Sequence, residues 1–159
     1  MSEGAGMGEA RAKRVSERLD ELATTLIGEA LDRLADEGEL GVVASVVDGR
    51  GERLTFGSSA EPADEGLAWA RDWVQGLAAG TIDRERLGEP VAWAICYLGA
   101  VEVPGAKGAP GYQDALICEF CEKGAPAAWS SYQLVTGIGK GDALAYTDPL
   151  PAGEVEPLL

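Results

Sequence analysis

VAWAICYLGAVEV, residues 91–103, followed eight residues later by YQDALICEFC, residues 112–121, decides the fold. Both runs are almost continuously apolar. They are rich in β-branched and aromatic side chains, the composition of strands covered on both faces, or on one face and by a partner. Between them lies PGAKGAPG, residues 104–111, whose glycines and prolines make a long hairpin loop. The two runs are therefore expected to lie side by side in opposite directions at the centre of one sheet. If the hairpin is symmetric about Lys107, opposed residues carry numbers summing to about 214. Cys96 then faces Cys118, at the ~4.5–5.5 Å separation of cross-strand neighbours.

Downstream of this hairpin, residues 127–136 continue as a strand, GIGKG at 137–141 reads as a turn, and residues 142–147 form another strand. The stretch 151–159, beyond Pro149, is rich in proline and acid and is expected to hug the surface or fray. Upstream, GVVASVVD at 41–48 is a β-branched run, Asp48-Gly49-Arg50-Gly51 has turn chemistry, and residues 53–57 return as a second strand.

Two helices complete the pattern. Val15, Leu19, Leu22, Leu26, Ala30 and Leu34 recur at helical spacing, which predicts a helix over residues 9–37 stopped by Gly38. Its length suits packing across the sheet, with pairing to a second copy as the alternative, and Glu29 and Arg33 stand at i,i+4 spacing. A second helix opens around 58–62, where Pro62, Asp64 and Glu65 suit a helix start. Leu67, Ala70, Val74 and Leu77 trace its stripe, and Gly80 ends it. A short helical turn is expected around 83–87.

The order is thus α-β-β-α-β-β-β-β. It implies a single α+β domain at residues 11–150, with a mostly antiparallel sheet of five to six strands and both main helices on one face. Residues 1–10 read as a disordered tail.

Composition bounds the function. The chain has 27 Asp and Glu against 13 Lys and Arg, a formal net charge of −14. Such a surface repels nucleic-acid backbones and anionic membranes and attracts a basic protein or a cation. Histidine is absent. Ser-His-Asp and Cys-His catalysis are thereby excluded within the chain, as are sites that need a histidine ligand. The three cysteines are an odd number in a chain long enough to fold without staples. With no leader-like apolar run at the start and no stretch of ~20 apolar residues, this points to the cytoplasm.

Few residues carry chemistry. Cys118 and Cys121 have CxxC spacing, but inside a strand residues three apart point to opposite faces, so neither a shared metal nor a disulfide is expected. GIGKG lacks the spacing of a phosphate loop and is followed by strand-like residues rather than a helix. Asp114 and Glu119 each interrupt an apolar strand, where a carboxylate must be paired, hydrogen-bonded or protonated. They are the candidate ligand-binding carboxylates, with Trp129 and Tyr132 as neighbouring walls and Tyr97 close by. Alternation places the two on opposite faces, which argues against a cooperating acid/base pair. No catalytic residue, metal site or cofactor site is assigned.

These observations favour a small acidic, non-catalytic domain that binds a basic protein or associates with itself. The competing expectation is a small-molecule-binding domain or a histidine-independent enzyme with a pocket built on Asp114 or Glu119.

Overall fold

The computed structural model describes residues 16–58, 63–80, 87–104, 110–125, 127–155 and 157–158. In chain order these form α1 (Glu17–Glu37), β1 (Val42–Asp48), β2 (Arg53–Ser58), α2 (Ala63–Ala79), β3 (Pro90–Pro104), β4 (Pro110–Glu122), β5 (Ala128–Thr136), β6 (Ala145–Tyr146) and β7 (Leu150–Val155). The expected N-terminal tail, Val15, Pro62 and most of the turn around 83–87 lie outside the described residues.

β3 and β4 pair antiparallel without a break from Ala92↔Glu122 to Pro104↔Pro110, and Cys96 stands opposite Cys118. Around this hairpin the strands run β2-β1-β3-β4-β5-β6, and β7 also pairs with β5. β1 and β2 form the expected hairpin. Its turn is organised by Asp48, whose carboxylate accepts from the backbone N–H groups of Arg50 and Glu52, while Gly51 takes a φ of 88°.

The two helices cover opposite faces of the sheet, not one. The α1 stripe packs on Val43, Val47, Ala92, Ala94, Cys96, Leu116 and Cys118. The α2 stripe (Ala70, Val74, Leu77) packs on Val42, Ala44, Val46, Trp93 and Ile95. The physical reason is the apolar character of both parities of β1 and β3. All seven residues of β1 are buried, which a one-sided sheet cannot achieve.

Helix α1 starts at Glu17, eight residues later than its periodicity predicts. Ser16 has extended backbone and its Oγ accepts from Leu19 N–H, a serine N-cap. Leu19, Leu22, Leu26, Ala30 and Leu34 are all buried on the helix's own sheet, so the stripe is used within the chain rather than by a second copy. The predicted Glu29–Arg33 pair is replaced by Arg33–Glu37 at 3.0 Å and by Arg53–Glu29 at 2.8 Å.

GIGKG closes the other end of α1. Gly139 N–H donates to Leu34 O at 2.7 Å, and its Cα approaches the C-cap residue Gly38 so closely that a Cβ on Gly139 would lie 3.3 Å from the Gly38 Cα. Gly38 and Gly139 both have φ near +75° (75° and 78°), so glycine serves the turn and the close approach together.

From sequence the residues after Pro149 hug the surface or fray, and residues 142–147 form one strand. The structure instead has a 3-10 turn at Gly141–Ala143, a two-residue β6 and then β7, which pairs with the outer edge of β5 from Val155↔Ala128 to Leu150↔Tyr132. Pro151 is admitted because β7 is an edge strand and no further ladder needs its missing N–H.

Candidate functional site

Glu119 and Asp114 have different fates, decided by strand parity. Even-numbered residues of β4 face α1 and odd-numbered ones face the α2 side. Glu119 therefore lies under α2 and Asp114 lies on the α1 side, beyond the part of the sheet that α1 covers.

Glu119 is 2% exposed. One nitrogen of Arg71, Nη2, donates to both of its carboxylate oxygens at 2.8 and 2.9 Å, and Tyr97 OH donates to Oε2 at 2.8 Å. Arg71 sits on α2 beside the Leu67–Val74 stripe, and its guanidinium reaches over to β4. Tyr97 belongs to β3, two residues along the strand and on the same face as Ile95, the residue opposite Glu119. Burial first, and then the hydrogen bond to Glu119, hold the Tyr97 phenol well above the ordinary tyrosine range. The cluster is a neutralised carboxylate, closed by one cation and one hydroxyl.

Tyr132 shares the Glu119 face, since it pairs with Ile117 and Ser130 pairs with Glu119, and it is half-buried. Trp129 pairs with Phe120 and so belongs to the opposite face, also half-buried. Asp114 is exposed, opposite Ala100. The four sequence candidates thus divide into Glu119 with Tyr132 on one side and Asp114 with Trp129 on the other. Sequence reasoning missed Arg71. Its signal was a cation spaced four residues from Leu67 and three from Val74, inside an apolar stripe, where a charge needs a partner.

A second buried carboxylate, Asp48, is 1% exposed. Burial pushes its pKa up, but N–H donation from Gly88 (2.8 Å), Arg50 and Glu52, with the Arg50 charge, outweighs burial and leaves it below the ordinary aspartate range. Its role is to tie the β1–β2 turn to the start of β3.

Two clefts flank the start of α1. One, of about 520 Å³, is bounded by Glu17, Arg18, Glu21, Leu22, Val47 and Arg53 among others; the second, of about 510 Å³, by Ser16, Val91, Glu122 and Lys123 with the same helix start. Neither is lined by Asp114, Glu119, Trp129 or Tyr132. Their walls carry charges of both signs and no cysteine.

The cysteines are free and buried. Cys118 packs in the α1 core and Cys121 in the α2 core, as alternation requires. Burial, then the hydrogen bond with Cys118, push the Cys96 thiol well up, and burial raises Cys121. Thiolate formation is thereby disfavoured at Cys96 and Cys121. Among the described residues no group of three or more Cys, Asp or Glu is arranged to hold a metal ion, and no helix is long and apolar enough to cross a membrane.

Comparison of the chain with protein-family models, curated proteins and solved structures finds no match.

Proposed function

We propose that this protein is a small acidic binding domain that engages a basic protein partner and performs no chemistry itself. The observation that carries this reading is the setting of Glu119. A carboxylate buried in a cleft and short of partners would argue for a substrate site. Glu119 instead has its charge met by Arg71 and a further lone pair met by Tyr97. It holds α2 to the sheet. The alternative of a small-molecule pocket built on Asp114 or Glu119 is less favoured, because Asp114 is exposed and the Glu119 carboxylate is already engaged by Arg71 and Tyr97.

The net charge of −14 supplies the attraction to a basic partner. Self-association through α1 is disfavoured, since its apolar stripe is already buried. A reducing, cytoplasmic setting accords with three free cysteines.

The test is calorimetric titration with a lysine/arginine-rich polypeptide and a glutamate-rich one of equal length, with sedimentation to follow self-association. Saturable binding of the basic chain alone, of about micromolar strength at roughly 0.15 M salt, is expected. Equal response to both polypeptides, or to neither, overturns the proposal.

A further inference from the structure

The β3–β4 hairpin outruns the rest of the sheet. β1 stops pairing at Val42↔Tyr97, and β5 stops at Leu134↔Ala115. From Gly99 to Pro104 and from Pro110 to Asp114 the two strands pair only with each other, so a two-stranded ribbon projects from the sheet. A two-stranded ribbon has little stability of its own in water, and this one is anchored by the sheet at its base while both strands carry free edges beyond it.

Its α1-side face is made of Ala100 and Glu102 on β3 and Tyr112 and Asp114 on β4, with Tyr112 directly opposite Glu102 and Asp114 opposite Ala100. All four are exposed, and Tyr112 is 73% exposed, the most open of the large hydrophobic residues described. Glu102 and Asp114 make no ion pair among the described residues, whereas Glu29, Glu37, Asp48, Glu89 and Glu119 each do.

The same end of the sheet carries the C-terminus of α1. Ser16, at the helix start, bonds Glu122 at the far end of β4, while Gly139, just past β5, bonds Leu34 near the helix end. Asp36, Glu37 and Glu39 are exposed there, Glu37 paired with Arg33 and Lys140 exposed beside Gly139, and the last turn of α1 has no basic residue. Acids at a helix C-terminus add to the negative end of the macrodipole, a local cost to stability. The face therefore joins an open aromatic ring to two carboxylates that form no ion pair among the described residues.

We infer that the α1-side face of this ribbon, centred on Tyr112 between Glu102 and Asp114, is the docking surface for an extended lysine- or arginine-rich segment of a partner protein. This rests on the proposed binding function and locates it. A guanidinium or ammonium group stacks on the Tyr112 ring and is shared by the two carboxylates, while the segment's stems cover the ribbon. A second copy of this acidic chain is a poor occupant, because the same charges would oppose each other.

The experiment titrates a lysine/arginine-rich synthetic peptide into the intact chain and three variants at roughly 0.15 M salt. Glu102→Lys/Asp114→Lys reverses the ribbon charges. Glu52→Lys/Asp72→Lys makes the same net change at exposed sites away from the ribbon. Tyr112→Ala removes the ring without changing charge. Weakening of about tenfold or more in the first variant, about threefold or less in the second, and about three- to tenfold in the third is expected. Circular dichroism of each variant keeps loss of fold apart from loss of binding. Equal weakening by both charge reversals overturns the ribbon as the site while leaving a basic-partner function standing. No binding by the parent chain overturns both.

Discussion

Replacing Arg71 by methionine tests whether Glu119 is a structural carboxylate. Methionine keeps an unbranched apolar side chain and deletes the guanidinium. Glu119 then retains only the Tyr97 hydroxyl. Removing one member of a fully buried ion pair costs about 3–5 kcal/mol, and of an exposed pair about 1 kcal/mol or less. Here the carboxylate side chain is 3% exposed and the cation 41%. The stranded partner is thus the buried one, but solvent already screens Arg71, so the expected loss is about 1.5–3 kcal/mol. In a chain of this size that lowers the melting temperature by roughly 4–10 °C. Glu119→Gln in the Arg71→Met background replaces the stranded charge by an amide and should recover about 1 kcal/mol of it. Urea unfolding at neutral pH, followed by tryptophan fluorescence, reads all four corners of the cycle, with unchanged m-values as the check that two-state comparison holds. Arg71→Met within about 0.5 kcal/mol of the parent, or two single effects that simply add, would refute the reasoning. Glu119 would then be held by something other than Arg71, and the pocket reading would reopen.

Three further outcomes follow from the same geometry. Asp48→Ala leaves the N–H groups of Gly88, Arg50 and Glu52 without their acceptor and should cost about 2–4 kcal/mol. Because the folded-state pKa of Asp48 lies below its unfolded value, its contribution is present above about pH 4 and fades as pH falls through the folded value, so the gap between parent and variant should shrink in acid unfolding. Tyr97 has the opposite sign: its raised folded-state pKa keeps its stabilisation intact below about pH 10 and loses it as pH climbs toward the folded value. Phenolate absorbance should show one of the four tyrosines ionising late, and that late step should disappear in Tyr97→Phe. The three cysteines should resist a thiol reagent in the native protein and react together on unfolding; a rapidly reacting thiol in the native state would contradict their burial.

The parts of this fold that could be read from sequence are those where local pattern and packing agree. The central hairpin announces itself by two apolar runs around a loop of glycine and proline, and its symmetry about Lys107 is enough to place Cys96 against Cys118. Strand parity alone separates Cys118 from Cys121 and Asp114 from Glu119, because a period of two leaves no freedom once the register is set. What failed was decided by groups distant in sequence. The start of α1 is marked by Ser16, an N-cap set by its own hydroxyl, which apolar periodicity does not register. The split of the helices to opposite faces depends on β1 being apolar at both parities, a signal present in GVVASVVD but readable only once the sheet is known to be two-sided. β7 was hidden by Pro149 and Pro151, which exclude a central strand yet are tolerated at an edge.

Arg71 is the instructive case for function. A carboxylate interrupting an apolar strand poses a question that the strand cannot answer, since the answer stands 48 residues away on another element. The same question asked of Asp114 has no answer within the described residues: no cation is brought to it, and Tyr112 beside it on the strand stays open to water. Asp114 and Glu119, equally anomalous in sequence, are thereby sorted by their surroundings. Glu119 is satisfied and belongs to the architecture. Asp114 is exposed on the projecting ribbon, hydrated and without an ion pair among the described residues, and so is free of any architectural duty.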